Sequence, residues 1–326
     1  MMKARDYNPA VKYGARWLPQ DIAGMLGLPY VGNIYYVDPI AGVDAANDGT
    51  TQDAAFATVS AAFAKCTSGK HDVIVIAPTG GTGRATEVAP IVWNKRFTHL
   101  IGSCAPTMHS PRAGIEFSSA VTEDMIGITF SENGCVVKNV TITSTSDTDV
   151  ITKVTGSYNY FGGCHLTGAQ NATAGADTAW RALLVSAASE NTFEGCTFGS
   201  ETFVRSAANF NVEQTGTCKR NVYKDCFFDA YNTSADAAFF QAITGNCTEM
   251  FVMFDNCMMF APVLVGASVS MDTAMNTSNV TNGIYIWKNS YFYGATALAD
   301  VFTKVFCTTP VITGVASGHM VIASGT

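Results

Sequence analysis

The sequence predicts an all-β solenoid, and three features of one recurring segment predict it. Six segments share the order apolar, any, Asn/Gly/Asp, small, any, apolar. They are Val137–Ile142, Phe161–Leu166, Phe193–Phe198, Tyr223–Phe228, Phe254–Met259 and Trp287–Phe292, with successive copies 24, 32, 30, 31 and 33 residues apart. A period in this range marks a chain whose repeats bury their apolar faces against their neighbours. The third position is Asn139, Gly163, Gly195, Asp225, Asn256 and Asn289, the residue types that tolerate a left-handed backbone. One such residue between two short strands makes a sharp corner without a loop. The fourth position is Val140, Cys164, Cys196, Cys226, Cys257 and Ser290, small side chains suited to stacking rung on rung.

The elements follow in order. Residues 1–32 are rich in breakers, with Asn8-Pro9, Leu18-Pro19 and Leu28-Pro29, yet carry many apolar side chains. The segment is too apolar for a solvated tail and too short to own a core. It reads as an extended arm that docks the chain onto a partner through Tyr7, Tyr13, Arg16, Trp17, Leu18 and Leu26, or else as a strap over the mouth of the solenoid. Residues 33–326 form the solenoid with a short C-terminal cap. Its first part holds a capping helix, with Asp53 as N-cap and Phe56, Val59 and Phe63 as the apolar face. Strands follow at Val73–Ile76, Phe97–Gly102 and Ile126–Phe130, and then the six copies. Hairpins are a poor alternative, because no second strand returns within a few residues of each corner.

This arrangement resembles the right-handed parallel β-helix of the pectate-lyase-like superfamily. A capping helix, an apolar strand ending in Ala77-Pro78, a later strand ending in Ile101-Gly102 and stacked one-residue corners are how many of its members run. The resemblance spans roughly residues 33–310. It implies a single-stranded β-helix, as in tailed-bacteriophage virion proteins, and homotrimers are common among those.

Composition agrees. Charged residues make up 14% against 48% hydrophobic, and 29 glycines serve the many corners. A net charge of −7 with no basic cluster gives a nucleic-acid role no footing. No apolar run approaches the ~20 residues a membrane helix needs, and residues 1–7 lack a signal-peptide core. These features predict a soluble protein made in a host cytoplasm. Ten cysteines could frame disulfides, but four share one repeat position and none shows Cys-x-x-Cys spacing. They predict a ladder of reduced, buried thiols, with no metal and no cofactor.

Chemistry in this superfamily needs clustered acids. The candidates are Asp147 with Asp149, Glu194 with Asp225, Asp229 with Asp236, and Asp255. Glu194 and Asp255 stand two rungs apart, ~10 Å at ~4.8 Å per rung. The Asn-Thr-Asp, Asp-Asp and Arg-Ile-Lys strings of polygalacturonases are missing. The favoured expectation is therefore a non-enzymatic virion protein, a capsid decoration or cement protein bound to the major capsid protein or another virion component. The alternative is a tailspike or tail-fibre protein that binds or cleaves a host polysaccharide.

Overall fold

Corners that turn without a loop let the chain coil as a three-sided prism. The computed structural model describes residues 19–80, 83–243, 248–262, 269–277, 283–301, 303 and 305–308. Three parallel sheets of ten, eight and eight strands run along the prism. Sheet 1 contains the strands before the corners, such as Tyr160–Gly162 and Thr192–Glu194. Sheet 2 contains those after them, such as His165–Ala169 and Thr197–Arg205. Sheet 3 closes each turn with strands such as Val150–Val154 and Arg181–Ser186.

The six corner residues all have positive φ, from 46° at Asn289 to 61° at Gly195. The left-handed turn keeps the hydrogen-bond ladder unbroken. The amide of Gly163 donates to Glu194 O at 2.8 Å on the following rung, Gly195 to Lys224 O at 2.9 Å and Asp225 to Asp255 O at 2.9 Å. Two residues on, His165 donates back to Val140 O at 3.0 Å and Thr197 to Cys164 O at 2.8 Å. Each rung therefore satisfies its backbone through its neighbours, as a buried strand must.

Registered rungs stack like on like. Phe161, Phe193, Tyr223, Phe254 and Trp287 align across sheet 1. The first four lie face to face with centroids 5.0, 5.0 and 5.2 Å apart, and Trp287 is tilted at 5.7 Å. Ile142, Leu166, Phe198, Phe228, Met259 and Phe292 form the matching row on sheet 2. The thiols of Cys164, Cys196, Cys226 and Cys257 donate to carbonyls of the preceding rung, Val137, Phe161, Phe193 and Tyr223, at 3.5, 3.4, 3.3 and 3.2 Å. Ser290 continues the row with its hydroxyl on Phe254 O at 3.3 Å. All four cysteines are free and buried.

Two sequence expectations need correction. Asp53 does not cap the helix. It lies in a 3₁₀ turn at Gln52–Ala54 capped by Thr51, and Phe56 pairs as an isolated bridge with Val37. The helix is Val59–Lys65, and its N-cap is Thr58, whose hydroxyl accepts from Ala61 N at 3.2 Å. Leu26 is not free for a partner. A helix here called α1, Pro19–Leu26, lays Ile22 and Leu26 on the outer face of sheet 1 against Tyr36, Val73, Val75, Ile101 and Val136. The strand Val73–Ile76 is apolar on both faces, so its outer side needs a cover, and α1 supplies it. Lys138 Nζ donates to Met25 O at 2.8 Å, a cation placed against the C-terminal end of the helix. Tyr7, Tyr13, Arg16, Trp17 and Leu18 lie outside the described residues.

Phe193 is fully buried between two stacked rings, so Phe193→Ala is expected to cost about 3–5 kcal/mol in chemical denaturation. The four ladder cysteines are expected to resist a thiol reagent until the protein unfolds.

Candidate functional site

The outer acids fall on three faces, and the structure gives each face a different role. Along sheet 1, Lys138, Gly162, Glu194, Lys224, Asp255 and Lys288 are in register. Glu194 pairs with Lys224 at 2.6 Å and Asp255 with Lys288 at 2.8 Å. Glu194 also accepts from Tyr160 Oη at 3.0 Å, and the Lys224 hydrogen bond above all holds its carboxyl below the ordinary range. Asp225 accepts from Asn256 Nδ2 at 2.6 Å. These are rung-to-rung ties on a partly exposed face, where solvent screens each pair.

On the approach to sheet 3, Asp149 meets Glu123 and Asp177. Partial burial and then the charges of Asp177, Glu123 and Asp147 push Asp149 up to about 6, against the pull of Arg181. Arg181 itself is committed to a buried ion pair with Glu213.

The third cluster lies on the outer side of sheet 2. Asp229 sits in the strand Phe227–Asn232, where Phe228 and Ala230 face the core and Asp229 alternates outward. It is nonetheless only 1% exposed, because two segments cover it. The first is a bulge in Thr197–Arg205. Ser200 pairs with Ala230 and Val204 with Tyr231, so Glu201, Thr202 and Phe203 are extra residues that arch outward. Gly199 precedes the arch at φ 90°, and a Cβ there would lie 2.0 Å from Asn211 Nδ2 and 2.3 Å from Asp229 O. Only glycine fits that approach. The second cover is the loop bearing His109, whose ring packs edge-on against Phe227 and His165, centroids 5.4 and 5.5 Å away.

His165 joins the two covers. Its Nδ1 accepts from Ser110 N at 2.9 Å, so Nε2 carries the proton and donates to Gly199 O at 2.8 Å. Burial pushes this imidazole down to about 4. Neither Asp229 oxygen has a hydrogen-bond partner. Burial first, and the neighbouring Glu201 carboxyl second, push Asp229 up to about 8, while Glu201, beside Asp229, is held below its ordinary value. Beside the bulge, a cavity lined by Thr167, Trp180, Phe203, Val204 and Arg205 has room of about 10 Å³, enough for one water molecule and not for a sugar ring.

Of the sequence candidates, Asp149 and Asp229 thus enter acid clusters, whereas Glu194, Asp225 and Asp255 are spent on ladder contacts. The structure groups Asp229 with Glu201 and His109. Sequence reasoning missed both, because no spacing rule links positions 109, 201 and 229. A hint was present in Gly199 just after the apolar Phe198, where a bulge could begin. The reading also missed an asparagine ladder at the start of sheet 1. Asn159 Oδ1 accepts from Cys135 N at 2.8 Å, Asn191 Oδ1 from Asn159 N at 3.0 Å and Asn221 Oδ1 from Asn191 N at 2.9 Å. Its signal is an Asn two residues before Phe161, Phe193 and Tyr223.

Against known proteins, no family model and no curated protein matches the chain. Solved structures do. The chain is similar to the pectate lyase Pel9A at TM-score 0.56 and 17% identity, over 80% of this chain and 63% of that one. It is also similar to a pectin methylesterase from Aspergillus niger at TM-score 0.46 and 13% identity, over 85% and 86%. A third is ORF18 of Geobacillus virus E2, at TM-score 0.34 and 14% identity, over 86% and 63%. The chain has the right-handed parallel β-helix fold that it shares with that pectate lyase.

Two histidines set an expected pH dependence. His99 is buried, its Nδ1 accepts from Val136 N at 3.0 Å, and burial pushes it down from 6.5 to about 4, as it does His165. Below pH 6.5 the unfolded chain takes up protons that the folded chain refuses. Stability should therefore fall as pH drops from about 6.5 to about 4, by up to about 3 kcal/mol per histidine. Chemical denaturation of the wild type and of His99→Gln across this range should show a shallower acid loss in the variant.

Proposed function

We propose that the chain is a non-enzymatic structural protein of a tailed-bacteriophage particle, a decoration protein attached to the shell through the segment before α1. The state of the sheet 1 acids supports this reading. Glu194 and Asp255, spaced along the face as a cleaving pair would be, are each held by a lysine of the next rung. The face serves to tie rungs together, as a rigid scaffold requires.

The packing of α1 gives the arm a fixed starting point on the first rungs. The residues before it include Tyr7, Tyr13, Arg16, Trp17 and Leu18, and aromatic and arginine side chains are the usual anchors of an interface. The partner in this reading is the major capsid protein or another virion component, and the location is the virion. A homotrimer is the expected assembly.

One observation favours a second reading, a tailspike or tail-fibre protein acting on a host polysaccharide. Asp229 and Glu201 bring carboxyl oxygens within 4.8 Å of each other, and a pair of adjacent carboxyl groups is the equipment of general acid–base cleavage.

Deleting residues 1–18 keeps α1 in place and separates the readings. The truncated protein is expected to melt like the full chain and to lose binding to the particle. Trp17→Ala should weaken attachment by roughly 2 kcal/mol, about thirtyfold. Undiminished particle binding would contradict the proposal. Release of reducing sugar from a host polysaccharide, abolished by Glu201→Gln, would favour the second reading instead.

A further inference from the structure

Asp229 buries a carboxyl group whose two oxygens meet no hydrogen-bond donor among the described residues. A buried carboxylate is normally hydrogen-bonded, paired with a cation or bound to a metal. Here both oxygens lack partners at 1% exposure. The buried Arg205 feels the charge of Asp229 but directs its guanidinium to Asn211 Oδ1, to Asn209 O at 3.4 Å and to Ala238 O at 3.2 Å. Arg84 is engaged with Glu116 at 3.5 Å.

Two further groups converge on the same point. His109, Glu201 and Asp229 each offer one ligand atom, and those atoms all lie within 4.8 Å of one another. They come from three separate segments, each fastened to the scaffold. The His109 loop is held by Thr197 Oγ1 on Met108 O at 2.7 Å, by Thr107 Oγ1 on His109 O at 3.0 Å and by Ser110 N on His165. The Glu201 arch is held at Gly199 O by the same His165 ring. Asp229 belongs to a strand paired on both sides. His165 thus fixes the spacing between two of the three segments, the part that outer-shell partners play around metal ligands.

We propose that His109, Glu201 and Asp229 form a binding site for a divalent transition-metal ion of the zinc class. An imidazole nitrogen with two carboxylates suits such an ion, whereas magnesium and calcium favour all-oxygen shells. Two carboxylates match a charge of +2, and a bound ion would give the buried Asp229 oxygens the partner they lack. Ligand atoms of a tetrahedral zinc site lie about 3.3 Å apart, given bonds of about 2.0–2.1 Å. The needed contraction falls to Glu201, which is exposed and sits on the arch. Three protein ligands leave a fourth position facing solvent for water or an exogenous anion. Bound metal would fasten the His109 loop to sheet 2, and the site stands whether or not the chain is a virion protein.

The test is titration of the chelator-treated full-length protein with zinc chloride, followed by calorimetry and thermal melting, with calcium chloride run in parallel. One zinc per chain is expected to bind saturably and raise the melting temperature, with no response to calcium at the same concentration. His109→Ala, on an outer loop, and Asp229→Asn should each weaken zinc binding at least tenfold. Anomalous scattering at the zinc edge should place the ion among the three side chains. If Asp229→Asn fails to fold, Glu201→Gln takes its place. Absence of saturable zinc binding, an equal response to calcium, or unchanged affinity in both variants would overturn the proposal. The last outcome would point to the cysteines instead.

Discussion

Everything in this molecule depends on one backbone constraint, a single residue per rung held at positive φ. For an L-residue the left-handed region costs roughly 1–2 kcal/mol, and glycine, asparagine and aspartate meet it most readily. In return the chain changes direction between sheets without losing a hydrogen bond. The corner amide donates to the rung ahead, and the amide two residues on donates to the rung behind. A wider turn would leave buried polar groups to be satisfied one by one. The one-residue corner satisfies them through neighbours, which couples every rung to the next.

That coupling dictates the interior. Because rungs stack in register, each core position recurs above itself, and side chains succeed where they can tolerate copies of themselves. Aromatic rings stack face to face at 5.0–5.2 Å. Thiols just past the corner point along the axis and donate to the carbonyls of the preceding rung. Burial holds the Cys164 and Cys226 thiols protonated, the state in which a thiol can donate. The outside obeys the same logic with charges, where Glu194 answers Lys224 and Asp255 answers Lys288. The exception is the outer face of the first rungs, which is apolar and therefore borrows α1 as a lid.

The sequence made the periodic part of this fold legible and little else. The corners, the thiol row and the aromatic row share a fixed spacing, so a pattern in one dimension maps onto a stack in three. The asparagine ladder had the same spacing and could have been found with it. The capping residue was misread because Asp53 and Thr58 are both good N-caps, and only the bridge between Val37 and Phe56 shows which turn is helical. Leu26 was misread because an apolar arm looks the same whether its cover lies in its own chain or in a partner. The acid cluster was half legible. Asp229 was among the candidate acids, paired with Asp236, but His109 reaches it from 120 positions earlier in the chain, through a loop that no repeat specifies. Glu201 joins it only because a bulge re-aims the strand.

The most direct measurement of the central claim is chemical denaturation of two variants at one corner. Gly195 has φ 61°, and an added Cβ would meet only Gly163 N at 3.9 Å, so space is not the obstacle there. If left-handed geometry governs the corner, Gly195→Asn should stay within about 1 kcal/mol of wild type, while Gly195→Val should lose clearly more, since β-branched residues resist positive φ. Equal losses in the two variants would contradict the account.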